Sequence, residues 1–264
     1  MRFPLICLLA FAAPLAAQSS TKPSDTWNWS GTLRTGTTLT VRNINGRIRT
    51  EAGGATVEVR AVKRATRGSV DAVEIRVDEQ SDGVTICALW PSRQRGTTGC
   101  RGDDNTPRRD RDSWKSEDQV EVEFVVKVPA GVRFEASTVN GDIDAVGLGS
   151  DATVTTVNGS VLVEAGGSAT ASTVNGGVRA TFGRADWNGR LRLATVNGDV
   201  TVSLPRDAAF GVEASTLNGD IVSDFPVTVS GRLRKQSLRG RVGEPGSRQL
   251  DLTTVNGGIR LERR

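Results

Sequence analysis

The residues best placed to do chemistry are three aspartates. Asp142, Asp199 and Asp220 each follow an Asn-Gly pair in the near-identical stretches TVNGDI, TVNGDV and TLNGDI, and Asp144 lies just beyond Asp142. Carboxylates gathered on one outer face of a parallel β-helix can act on polysaccharides, as an acid/base pair or around calcium. The chain contains no histidine, which removes the Ser-His-Asp triad and the imidazole base. Sugar stacking is the second available chemistry. Trp114 and Trp187 are its candidates, whereas Trp27, Trp29 and Trp90 read as plugs of an N-terminal core. The aspartate position holds Ser160 and Gly177 in other copies of the motif. A polar outward turn therefore explains it more simply than catalysis does, and no catalytic residue is assigned.

Cys87 and Cys100 bracket the segment CALWPSRQRGTTGC. An even cysteine pair in an exported chain reads as a disulfide. Two thiolates without histidine do not complete a common zinc shell, so neither a metal nor a cofactor is expected. Formal charge is +4, or 4 − 1 = +3 without Arg2, and the arginines are scattered among acids. Nucleic-acid binding needs them clustered beside stacking aromatics, so that partner is not expected. Arg101-Gly102-Asp103 lies in a charged stretch, 91–118, and reads as part of a solvated loop.

These side chains depend on the elements that carry them. The motif recurs from Thr138, Thr156, Thr173, Thr195, Thr216 and Thr254, with an upstream relative, NINGRI, from Asn43. As two-residue hairpins these stretches would mix polar and apolar residues on each face. As extended strands they alternate cleanly, with Val139, Gly141, Ile143 and Ala145 expected inward and Asn140, Asp142 and Asp144 outward. Before the motif the inward parity is opposite, as in Phe134, Ala136 and Thr138, so a bend is expected at Thr-Val. Motif asparagines are spaced by 18, 17, 22, 21 and 38 residues. The long interval is filled by SLRGRV from Ser237, read as a further copy, giving seven consecutive units that end at an exposed edge on GGIRLERR. Units of this length bury their apolar faces only by stacking. Asn140, Asn158, Asn175, Asn197, Asn218 and Asn256 are then expected to form a hydrogen-bonded structural ladder.

Glycine, threonine and valine are abundant and helical periodicity is absent, so the composition is all-β. Residues 1–17 read as a signal peptide, with Arg2 preceding an apolar run and small residues. No later segment is long and apolar enough to span a bilayer, so the chain is expected to be exported and not integral to the membrane. Longer alternating strands over 18–130 form an N-terminal β-sheet section, interrupted by the loop at 91–118. The repeat array occupies 131–264, continuous with that section.

The Asn-Gly-Asp-Ile/Val copies, the passage VKVPAGVRFEASTVNGDIDA and the leader together resemble a bacterial adhesin-like β-solenoid domain of unknown function. The resemblance implies a right-handed β-solenoid at the cell envelope or beyond, built here from rungs of about 17–22 residues, and it brings no catalytic residues. The expected role is a non-enzymatic interaction or structural protein presenting a repetitive polar face to envelope proteins or glycans. The alternative is a polysaccharide-active β-helix enzyme using Asp142, Asp199 or Asp220.

Overall fold

Inward apolar residues alternate with outward polar ones through nearly every strand, and the chain resolves that pattern by winding two sheets face to face. The computed structural model describes residues 24–90, 100, 119–229 and 236–264. The leader at 1–17, the loop at 91–118 apart from Cys100, its Arg101-Gly102-Asp103 tripeptide and Trp114 lie outside the described residues.

One sheet runs, in spatial order, β1 (Ser24–Gly31), β4 (Val57–Arg67), β7 (Gln119–Val128), β3 (Ile48–Ala52), β9 (Ile143–Leu148), β11 (Val161–Ala165), β13 (Val178–Thr181), β15 (Val200–Leu204), β21 (Ile259–Arg263) and β17 (Ile221–Ser223). The other runs β18 (Thr228–Val229), β19 (Ser237–Val242), β16 (Phe210–Ser215), β20 (Gln249–Thr253), β14 (Arg190–Ala194), β12 (Ala169–Ser172), β10 (Ala152–Thr155), β8 (Arg133–Ser137), β2 (Thr38–Arg42), β6 (Gly83–Leu89) and β5 (Glu74–Gln80). A rung is one strand of the second sheet, an Asn-Gly corner and one strand of the first. Neighbouring rungs pair in parallel, as Ile48 with Ile143, Val161 with Ile143 and with Val178, and Val178 with Val200.

Parallel register turns identical positions into columns. Ile48, Ile143, Val161, Val178, Val200 and Ile259 are each at most 1% exposed and fill the first sheet's inner face. Val41, Ala136, Val154, Ala171, Leu193, Leu252 and Ala214 oppose them from the second sheet. A single apolar core results, the dominant favourable contribution to folding. At the N-terminal end, β4 and β1 extend the first sheet by antiparallel pairing, and β5 does the same for the second. The first rung (β2–β3) stacks directly on the second, so the sheet section and the array share one core. The Cys87–Cys100 disulfide ties β6 to Cys100, with Leu89 packed against it.

Three expectations are corrected. First, the motif valine does not point inward: Val157, Val174 and Val196 are 38%, 39% and 38% exposed, while the preceding Thr156, Thr173 and Thr195 are buried. The bend takes the whole stretch from valine to the residue after glycine, so alternation resumes only at Ile143 and its equivalents. Second, SLRGRV at Ser237 is not a rung, because β19 turns back and pairs antiparallel with β16. Third, the C-terminal rung does not end the stack. β20 lies between β14 and β16, and β21 between β15 and β17. The chain therefore places its last rung inside the array, and the rung of β16–β17 is terminal.

Candidate functional site

The repeated corner concentrates the polar residues that the sequence singles out. Each corner after the first begins with a buried threonine whose hydroxyl donates to the glycine carbonyl of the adjoining rung. Thr156 reaches Gly141 O at 2.9 Å, Thr173 reaches Gly159 O at 2.8 Å and Thr254 reaches Gly198 O at 2.8 Å. A buried polar side chain is tolerated when so bonded. Asn43 takes the threonine's place in the first rung. Its Nδ2 donates to Gly46 O at 3.1 Å and to Val122 O at 2.7 Å, joining the corner to β7.

The asparagines that follow form a continuous line. Asn140 donates to Asn45, Asn158 to Asn140, Asn175 to Asn158, Asn197 to Asn175, Asn256 to Asn197 and Asn218 to Asn256, each amide nitrogen 2.7–2.8 Å from the next carbonyl oxygen. Every internal amide both donates and accepts along the stack. Backbone bonds between glycine N–H and asparagine carbonyl run alongside. The glycine is obligatory because rungs approach so closely: Gly159 has φ 153°, and a Cβ there would lie 2.2 Å from Gly141 O.

The next position forms a column of its own: Arg47, Asp142, Ser160, Gly177, Asp199, Gly258, Asp220. Asp142 accepts the Ser160 N–H at 2.8 Å and pairs with Arg47 at 2.8 Å. The Ser160 amide and then the Arg47 guanidinium hold its carboxyl below the ordinary carboxylate value. Arg47 also stands 3.9 Å from Asp144. Asp199 accepts the Gly258 N–H at 2.7 Å. The Asp220 carboxylate, on the terminal rung, has no partner among the described residues. Asp142 and Asp199 are thus separated by two rungs without a carboxylate, roughly 14 Å along the stack at about 4.8 Å per strand. Asp199 and Asp220 are about 10 Å apart on the same spacing.

Gly46, Arg47, Glu121, Glu123, Asn140, Gly141 and Asp142 line a shallow polar depression where the ladder meets β7. Its charges are largely paired. Glu123 bonds Arg64 at 2.7 Å, and that guanidinium keeps its carboxyl low. Arg47 and Glu123 were not singled out from the sequence, although Arg47 occupies the aspartate position of NINGRI and could have been found there. Among the described residues no group of histidine, cysteine, aspartate and glutamate is arranged to hold a metal ion.

Trp187 offers no ring face to a sugar: it is 3% exposed and packs against Phe182, ring centroids 6.0 Å apart. Trp27, Trp29 and Trp90 are half-buried against the core. Beside the asparagine ladder runs an exposed apolar ridge of Val157, Val174 and Val196, ending on Leu217, which is 63% exposed.

The profile of the Toastrack DUF4097 family matches residues 38–262, from the first rung to the end of the last. The chain belongs to the Toastrack DUF4097 family. Among solved structures, a candidate cell adhesion protein from Clostridium sporogenes is similar at 10% identity and TM-score 0.47, covering 91% of this chain and 100% of that one. A candidate adhesin from Bacteroides fragilis is similar at 9% identity and TM-score 0.30, covering 91% of this chain and 97% of that one. No curated protein matches the chain. The family match begins at β2, so it takes in the first rung and strands β4 to β7 and leaves β1 outside it.

Proposed function

We propose that this Toastrack protein is an exported, non-enzymatic interaction protein of the cell envelope, whose β-solenoid presents a repetitive polar face to envelope proteins or glycans. The observation that carries the reading is the state of the corner. Its amides are hydrogen-bonded to one another, and Asp142 and Asp199 are bonded to the backbone of the next rung. A general acid needs a carboxyl raised toward neutral pH, and Asp142 is shifted the other way. The similarity to candidate adhesins agrees with this role, as does a leader at 1–17 that reads as an export signal. No helix among the described residues is long and apolar enough to cross a membrane.

A pull-down from envelope extract, run beside a glycan array, tests the reading. Retention of a defined envelope protein or glycan, lost on substitution along the corner, is the expected outcome. Release of reducing ends from a polysaccharide by the wild-type chain, abolished in Asp199→Asn or Asp220→Asn, would replace it with the enzyme reading.

A further inference from the structure

Among the described residues, the terminal rung repeats, unoccupied, the docking surface on which the C-terminal rung sits. Thr195–Val200 reads TVNGDV and Thr216–Ile221 reads TLNGDI, with threonine, asparagine, glycine and aspartate at the same places. The first of these is covered by the C-terminal rung. Asn256 N–H donates to Val196 O at 2.8 Å, and Gly198 N–H donates to Asn256 O at 2.9 Å. Val200 N–H donates to Gly258 O at 2.9 Å. Among side chains, Asn256 Nδ2 reaches Asn197 Oδ1 at 2.7 Å, Thr254 Oγ1 reaches Gly198 O at 2.8 Å, and Asp199 Oδ1 accepts Gly258 N–H at 2.7 Å.

The equivalent groups of the terminal rung are the Leu217 carbonyl, Asn218 Oδ1, the Gly219 N–H, the Asp220 carboxylate and the Ile221 N–H. None of them has a hydrogen-bond partner among the described residues. In the second sheet the same end is covered, because β19 pairs along β16 and β18 along β19. In the first sheet β17 is an edge. Leu217, shortly before it, and Val222, within it, are 63% and 44% exposed. An open edge with apolar side chains is a template for strand addition.

We propose that this corner and edge form a binding site for an extended segment of a partner polypeptide bearing a Thr-x-Asn-Gly-x-Ile/Val corner, added in parallel as one further half-rung. The partner's asparagine donates to Asn218 Oδ1 and its threonine to the Gly219 carbonyl. The N–H after its glycine meets Asp220, and its strand pairs along β17. Asp220 and Asp224 favour a segment whose strand carries arginine or lysine. A folded second copy does not fit, because its other rung corners are enclosed on both sides among the described residues. Two terminal rungs meeting face to face would set Asp220 and Asp224 against their own copies, and like charges directly opposed are destabilising. The proposal deepens the interaction role and rests on it.

The test uses the folded full-length chain and a labelled synthetic peptide with the sequence of residues 253–263, TTVNGGIRLER, followed by fluorescence anisotropy. Saturable one-to-one binding is expected, weakened at least tenfold by Asn256→Ala in the peptide and by Asp220→Lys in the protein, whose melting temperature stays unchanged. Several results overturn it. Absence of binding does so, as does equal binding of an alternating Thr-Val peptide without Asn-Gly. Binding insensitive to Asp220→Lys but lost in Asp199→Lys would mean invasion of the inner position held by the C-terminal rung. Concentration-dependent dimerisation that Asp220→Lys abolishes and peptide does not compete would make the edge a contact between copies. Failure of the peptide with success of the envelope pull-down rejects this site while sparing the broader role.

Discussion

Ile143 and Asp142 are adjacent in the chain and opposite in consequence. Ile143 is 0% exposed and sits in a column with Ile48 and Val161, so Ile143→Asp buries an unpaired charge and should cost about 3 kcal/mol or more. Asp142 lies at the surface, and Asp142→Ser gives up two hydrogen bonds worth about 1 kcal/mol or less in so exposed a place. Urea midpoints of the two variants check this, and equal losses would contradict the assignment of faces. The same carboxylate sets a pH dependence. Its folded pKa lies below its ordinary 3.8, so the stabilisation is complete above that value and lost as pH falls through the folded pKa. The gap in melting temperature between wild type and Asp142→Asn should therefore close below pH 3.8. In the ladder, Asn158→Asp can still accept from Asn175 but has nothing to donate to Asn140, and two oxygens then face each other. A loss of about 1–3 kcal/mol is expected from the thermal melt at neutral pH.

At the scale of elements, the rung was legible and the corner was not. Periodicity of two showed which strand residues face inward, and Ile143, Val161, Val178 and Val200 are where alternation puts them. Alternation failed at Val157 and Val174 because it assumes extended backbone throughout. Gly159 and Gly176, at φ 153° and 150°, break that assumption. A buried threonine before an exposed valine is the signature of such a bend: the hydroxyl satisfies a carbonyl that an apolar side chain would leave unbonded. The ladder geometry was readable because one residue type recurs at one place, whereas the Arg47–Asp142 pair joins residues 95 positions apart and required the stacking order. Gly159→Ala tests the corner directly. With a carbonyl 2.2 Å from the new Cβ, it should cost at least about 2 kcal/mol, far beyond the ordinary glycine-to-alanine effect in a loop.

For the whole molecule, the decisive feature is that chain order and stacking order part company at the end. Asn197 is followed in space by Asn256 and only then by Asn218, and nothing in a list of similar motifs distinguishes that order from the sequential one. Its cause lies in β19, whose antiparallel pairing occupies the outer side of β16 and leaves the last rung a place only on the inner side. A solenoid built in sequence frays from its final rung, because each unit contacts only its neighbours. Here the final rung is held on both sides, with Leu250, Leu252, Ile259 and Leu261 at most 1% exposed. Native-state hydrogen exchange should therefore find the amides of β20 and β21 as slow as those of β11 in mid-array, while β17 and β18 exchange fast despite preceding them in sequence. Protection that instead decays steadily from β15 to the C-terminus would mean that rungs stack in chain order, and the vacant seat at Asn218 would vanish with it.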